Sequence, residues 1–108
     1  MLFRSRVLGA SVIILIAGGL GALAATKPQI MVDNFTFSPT PLQVKAGTTV
    51  TWVNHDDIPH SIVLNSLNVR SHALDTDDSF AYKFDKAGTY NYICGLHPFM
   101  HGEVVVEP

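Results

Sequence analysis

Beyond residue 24 the sequence predicts an all-β fold, an antiparallel sandwich or barrel of short strands. Three observations predict it. Apolar, aromatic and β-branched residues recur with period two. Clusters of Gly, Pro, Ser and Asp interrupt them at short intervals. No segment keeps a helical period over ten residues or more.

The chain has 108 residues, enough for one small domain. Its first stretch stands apart. Arg4 and Arg6 precede an apolar run from Val7 to Leu23, broken only by Ser11, and Ala22-Leu23-Ala24 supplies small residues at the exit. A positive start, an apolar middle and a small-x-small exit read as a secretory signal peptide over residues 1–24. The run also approaches the length of a membrane span, so a retained N-terminal anchor is the alternative. No cysteine lies near the cut, which excludes a lipid-anchored lipoprotein. The domain is then residues 25–108.

The elements follow in order. Ile30, Val32 and Phe35 to Phe37 suggest a first strand, and Ser38-Pro39-Thr40-Pro41 breaks it. Leu42-Gln43-Val44 alternates before a turn at Lys45-Ala46-Gly47. Thr48 to Asn54 is rich in β-branched and aromatic residues. His55 to Pro59 is a polar loop, Ser61 to Leu64 a short strand, and Asn65 to Asp78 polar and irregular. Ser79 to Phe84 alternates, Asp85 to Gly88 turns, and Thr89 to Cys94 alternates again. Gly95 to Gly102 is a loop, and Glu103 to Glu107 closes the fold.

Charge and cysteine content narrow the function. With Arg4 and Arg6 removed, five Lys and Arg face nine Asp and Glu, a net charge of about −4. Nucleic acid is therefore not expected as a partner; a basic or mixed-charge protein surface is. Cys94 is the single cysteine, so no internal disulfide can form. A bound metal would protect that thiol and add binding energy to a small fold.

The chemistry is concentrated in Cys94-Gly95-Leu96-His97-Pro98-Phe99-Met100-His101. A thiolate, an imidazole and a thioether recur at spacings of three in a loop between strands, where they can converge. Thiolate and thioether are soft donors that favour copper, and two imidazoles with a thiolate and a weak axial methionine form a blue-copper electron-transfer site. The loop supplies Cys94, His97 and Met100. His60, which follows Pro59 at the start of a strand, is the best candidate for the second imidazole. Pro59 stiffens its approach. Asn54 ends the preceding strand and can tie the two loops together. His55, His72 and His101 are read as solvent-facing polar residues. Trp52 is read as core, and Asp75, Asp77 and Asp78 as a solvated loop, since the EF-hand spacing and its glycine are absent.

These residues carry a resemblance. Val50-Thr51-Trp52-Val53-Asn54, Pro59-His60, Ala87-Gly88-Thr89-Tyr90, Cys94-x-x-His97-Pro98-Phe99-Met100 and Gly102 with Val104 to Glu107 together resemble the cupredoxins, or type 1 blue copper proteins, over most of residues 29–107. The resemblance implies a Greek-key β-sandwich of about seven to eight strands with one copper ion, Cu(I) or Cu(II), near one end. It implies His60, Cys94 and His97 as strong ligands and Met100 as the axial one. Asn54 would steady the Cys94 sulfur, and Pro98 would restrict His97. Ser61 departs from the pattern, standing where an asparagine often follows the histidine.

The expected function is that of a periplasmic one-electron carrier, a monomer and not an enzyme, free of the membrane once the signal is cut. Its redox partner, a dehydrogenase, a cytochrome c or a reductase, would dock transiently near His97, Pro98 and Phe99, with Leu96 beside them. Copper storage, delivery or resistance is the alternative; it would need an open or methionine-rich site, and the chain has three methionines including Met1. A multicopper enzyme would need His-x-His pairs, which the sequence lacks.

Overall fold

A computed structural model describes residues 28–108, so the leader expected over residues 1–24 lies outside the described residues. Among the described residues nine strands follow one another: β1 Gln29–Asp33, β2 Thr36–Ser38, β3 Leu42–Lys45, β4 Thr48–Asn54, β5 Val63–Leu64, β6 Val69–Arg70, β7 Ser79–Phe84, β8 Gly88–Ile93 and β9 His101–Glu107. One 3₁₀ turn, Asn65–Leu67, separates β5 from β6.

The strands form two sheets, β2-β1-β4-β7 and β3-β9-β8-β5-β6. Period two explains their packing. Val50, Trp52 and Asn54 of β4 and Gly102, Val104 and Val106 of β9 point inward and are buried. Between the sheets Trp52 and Tyr92 meet edge to face at 5.3 Å, and Phe37 packs on Tyr92 at 4.8 Å. Each such side chain taken out of water contributes about 1.5–3 kcal/mol. Tyr92 also explains Gly102: a methyl group there would strike the tyrosine ring.

The architecture departs from the sequence reading in four ways. β1 runs parallel to β4, and β3 parallel to β9, so the sheets are mixed rather than purely antiparallel. Alternation reveals a strand but not its direction; direction follows from the crossovers between sheets. The expected first strand is a hairpin, because the chain folds back at Asn34 and Phe35, with Asp33 opposite Thr36. Val69–Arg70 is a strand within a stretch read as irregular, and β9 begins at His101, two residues early. A two-residue strand is too short to show a period.

The fold has two distinct ends. β4 ends at Asn54, beside the turn Asn34–Phe35 and the loop after β8, and these connections build the candidate site. A surface cleft of about 230 Å³, lined by Leu67, Tyr82, Phe84, Asp85, Lys86 and Tyr90, lies toward the other end of the strands, away from the histidines.

Candidate metal centre

Four elements bring the donor side chains together. His60 is fully buried, and its backbone bridges Leu74: the His60 N–H donates to the Leu74 carbonyl at 3.1 Å, and the Leu74 N–H returns the bond at 2.7 Å. Cys94 follows the last residue of β8 and is also fully buried. The loop after it is closed by its own backbone. The Met100 N–H donates to the His97 carbonyl at 2.9 Å, and the Cys94 N–H donates to the Met100 carbonyl at 3.1 Å.

Cys94 Sγ then lies 3.5 Å from His60 Nδ1 and 3.7 Å from His97 Nδ1, and the two Nδ1 atoms are 3.2 Å apart. Donors about 2.0–2.3 Å from one ion at trigonal angles stand roughly 3.5–3.8 Å from each other. The observed triangle therefore fits a single transition-metal ion. Buried Met100 clusters with these three side chains. Among the described residues this is the group of His, Cys, Asp and Glu side chains whose ligand atoms converge within 4.8 Å.

The sulfur receives one backbone hydrogen bond, from the Ser61 N–H at 3.4 Å. Ser61 also accepts the Gly95 N–H on its hydroxyl at 3.0 Å, which pins the start of the ligand loop to the His60 strand. A β-carbon at Gly95 would come within 2.6 Å of that hydroxyl, so the close approach requires glycine. The expected contact of Asn54 with the sulfur is not formed. The Asn54 amide instead donates to the carbonyls of Ile58 at 3.0 Å and Leu74 at 2.9 Å, and its oxygen accepts the Asp56 N–H at 2.9 Å. It ties the loops together and acts on the ligands through the backbone.

Two residues were not singled out from the sequence. Asp56 places Oδ2 2.7 Å from His60 Nε2, on the face of the ring opposite the donor triangle. Burial pushes its carboxyl up, but the N–H groups of Phe35 and Asn34, together with His60 and Asp33, outweigh that and hold it at about 2. Its position four residues before His60, and the need of a ligand imidazole for a partner on its second nitrogen, were the available signals. Phe35 sets its ring edge against His60 at 5.4 Å and His97 at 5.2 Å and stacks on Phe99 at 6.1 Å. Nothing in its local sequence marks it.

The remaining histidines stay outside the centre. His55, His72 and His101 are all exposed, His55 lying 3.8 Å from Asp77. His97 is half-buried, and around it Leu96 is 51% exposed, Phe99 69% and Pro98 exposed as well. The inner donors are thus enclosed while the His97 side opens onto an apolar rim.

The cupredoxin-like domain model matches residues 7–106. The chain belongs to the cupredoxin family. It is 36% identical over 101 residues to amicyanin-alpha of Methylorubrum extorquens, covering 86% of this chain and 85% of the relative. To plastocyanin of Scenedesmus fuscus it is 40% identical over 84 residues, covering 66% of this chain and 86% of the relative. Among solved structures, a reduced amicyanin variant superposes with a TM-score of 0.73 at 31% identity, covering 77% of this chain and 84% of that one. A purple cupredoxin from Nitrosopumilus maritimus superposes at 0.71 with 35% identity, covering 75% and 100%. The cupredoxin's two sheets are thus seen both in its own geometry and in its relatives' fold, and its own geometry gathers the His-Cys-His-Met cluster.

Proposed function

We propose that this cupredoxin is an exported one-electron carrier that holds a single copper ion through His60 Nδ1, Cys94 Sγ, His97 Nδ1 and Met100. The donor triangle carries this reading: three strong donors with separations of 3.2–3.7 Å, two of them fully buried. When bound, copper would supply one-electron chemistry, held by His60, Cys94, His97 and Met100. The chain keeps the ligands still. Strand ends hold His60 and Cys94, the backbone of the loop holds His97 and Met100, and Pro59 and Pro98 restrict the approaches to the two histidines.

Electrons enter and leave through His97, the least buried of the three. The exposed side chains of Leu96, Pro98 and Phe99 provide a small apolar rim suited to brief contact with a redox protein such as a dehydrogenase, a cytochrome c or a reductase. The protein works as a monomer in the periplasm after removal of residues 1–24. Burial of His60 and Cys94 favours retention of the metal over its delivery.

An absorption spectrum of the copper-loaded protein tests the reading. A type 1 site gives an intense thiolate-to-copper band at roughly 600 nm that bleaches and returns with reduction and oxidation. Stoichiometric copper uptake without such a band would overturn it, and rapid loss of copper to a chelator would favour delivery.

A further inference from the structure

The cleft away from the histidines takes its walls from both sheets. Tyr82 and Phe84 come from β7, the edge strand of the first sheet. Tyr90 comes from β8 of the second sheet, and Leu67 from the 3₁₀ turn. Phe84 is buried and makes the floor. Its ring lies 5.0 Å from that of Tyr82 at 76°, and 5.1 Å from that of Tyr90 at 52°. Leu67, Tyr82 and Tyr90 are half-buried, so the cleft presents apolar surface that the core leaves uncovered.

The walls are held in place. The Tyr90 hydroxyl donates to the Lys86 carbonyl at 2.7 Å, which fixes the ring against the turn between β7 and β8. The volume of about 230 Å³ exceeds the roughly 150 Å³ that takes up benzene in an apolar cavity. A single substituted ring therefore fits. Aromatic neighbours favour edge-to-face or offset contacts at ring separations of about 4.5–7 Å, which three steeply inclined rings provide. The mouth is charged. Asp85 lies 3.7 Å from Lys83, whereas Lys86 has no ion-pair partner among the described residues. Two ammonium groups thus stand against one carboxylate at this spot, on a chain whose net charge is −2.

We propose that this cleft binds a small planar aromatic anion, a single ring bearing a carboxylate. The ring enters between Tyr82 and Tyr90 over Phe84, and the carboxylate meets the Lys86 ammonium at the mouth. An organic cation of the same size meets two ammonium groups and one carboxylate that Lys83 already engages. A neutral ring gains the aromatic contacts but no charge pair. Because the walls belong to both sheets, an occupant joins them and stabilises the folded chain. The site stands apart from the metal centre and does not rest on the copper assignment.

Benzoate, benzyl alcohol and benzylammonium are rings of similar size that differ in charge. Each is titrated into the reduced, copper-loaded protein and into the metal-free protein, followed by proton–nitrogen NMR. Benzoate is expected to saturate, with shifts confined to Leu67 and residues 82–90, and to raise the melting temperature. Lys86→Gln keeps the backbone carbonyl that holds Tyr90 and removes the charge. It should weaken benzoate by about two- to fivefold, the range of an exposed ion pair, and leave benzyl alcohol unchanged. Tyr82→Leu keeps apolar bulk but removes one ring, and should weaken both. Benzoate shifts that never saturate, or that scatter over the surface, would overturn the proposal. Benzylammonium binding as tightly as benzoate, or benzoate indifferent to Lys86→Gln, would overturn the choice of an anion. Dimerisation through these residues with no benzoate shifts would give the cleft to a second copy instead.

Discussion

The Cys94 amide donates to the Met100 carbonyl across 3.1 Å, so the first and last donor residues of the ligand loop are joined by one backbone hydrogen bond. Loop geometry therefore does not depend on the Met100 side chain. Replacing it with leucine keeps volume and burial and removes only the soft thioether donor. Met100→Leu is expected to retain copper and the band near 600 nm, with a raised reduction potential. Voltammetry beside the spectrum checks this; loss of the band would show that the thioether holds the site together.

Phe35→Gly separates backbone strain from ring contacts. Glycine relieves about 1–2 kcal/mol at a left-handed position. The ring's aromatic contacts are worth roughly 0.5–1.5 kcal/mol each. The three ring contacts together outweigh that relief, so thermal melts should place the variant about 1–3 kcal/mol below wild type. Copper dissociation, by contrast, should quicken, because the cover over His60 and His97 is gone. An unchanged dissociation rate would show that the ring merely fills space.

Tyr92 sets an alkaline limit. Burial pushes its phenol up to about 12 from the usual 10.0, with Trp52 and Thr40 opposing. Between these values the unfolded chain loses the proton while the folded one keeps it, so stability falls as pH rises. The fall reaches about 1.4 kcal/mol per pH unit, or about 2.7 kcal/mol over the interval. Below pH 10 this contribution is fully present. Denaturant titrations of wild type and Tyr92→Phe at pH 9 and pH 11.5 should diverge, with the loss confined to wild type.

Gly102 and Tyr92 make a coupled pair. A methyl at residue 102 collides with the tyrosine ring, so Gly102→Ala should cost about 1–3 kcal/mol. Adding Tyr92→Phe should recover part of that loss, since the hydroxyl is among the atoms struck. Simple additivity of the two midpoint shifts would argue that the strand moves instead of the ring.

Asp57, Asp75, Asp77 and Asp78 are exposed on the turns joined to Asn54, with Arg70 beside Gly95 as a cation near the same end, while Lys45, Lys83 and Lys86 at the opposite ends of the strands are interspersed with Asp85 and Glu107. At low salt the reduced protein should react faster with a cationic small oxidant than with an anionic one of similar potential. The ratio should shrink above about 0.1 M salt, where screening acts within about 10 Å. Stopped-flow rates across a salt series decide it; equal rates at all salts would remove any steering role from these acids.

Much of the centre was legible in the chain. Cys94, His97 and Met100 announce themselves because three soft or borderline donors stand at spacings of three in one loop, and His60 follows a proline at a strand start. The alternating segments also located β4, β7 and β8 within a residue or so. The turn at Asn34–Phe35 was hidden because Phe35 reads as one more apolar residue of a strand. β5 and β6 were blurred because two-residue strands carry no period.

The sequence by itself determined the all-β class, the donor set and the order in which donors arrive, since these depend on residue type and short spacing. Tertiary structure alone decided the parallel pairing of β1 with β4 and β3 with β9, the attachment of Asp56 to the outer nitrogen of His60, and the cover supplied by Phe35. Those relationships join segments more than twenty residues apart or choose which side of a ring a neighbour occupies. Local alternation cannot encode either, because both are settled only when the two sheets close on a common core.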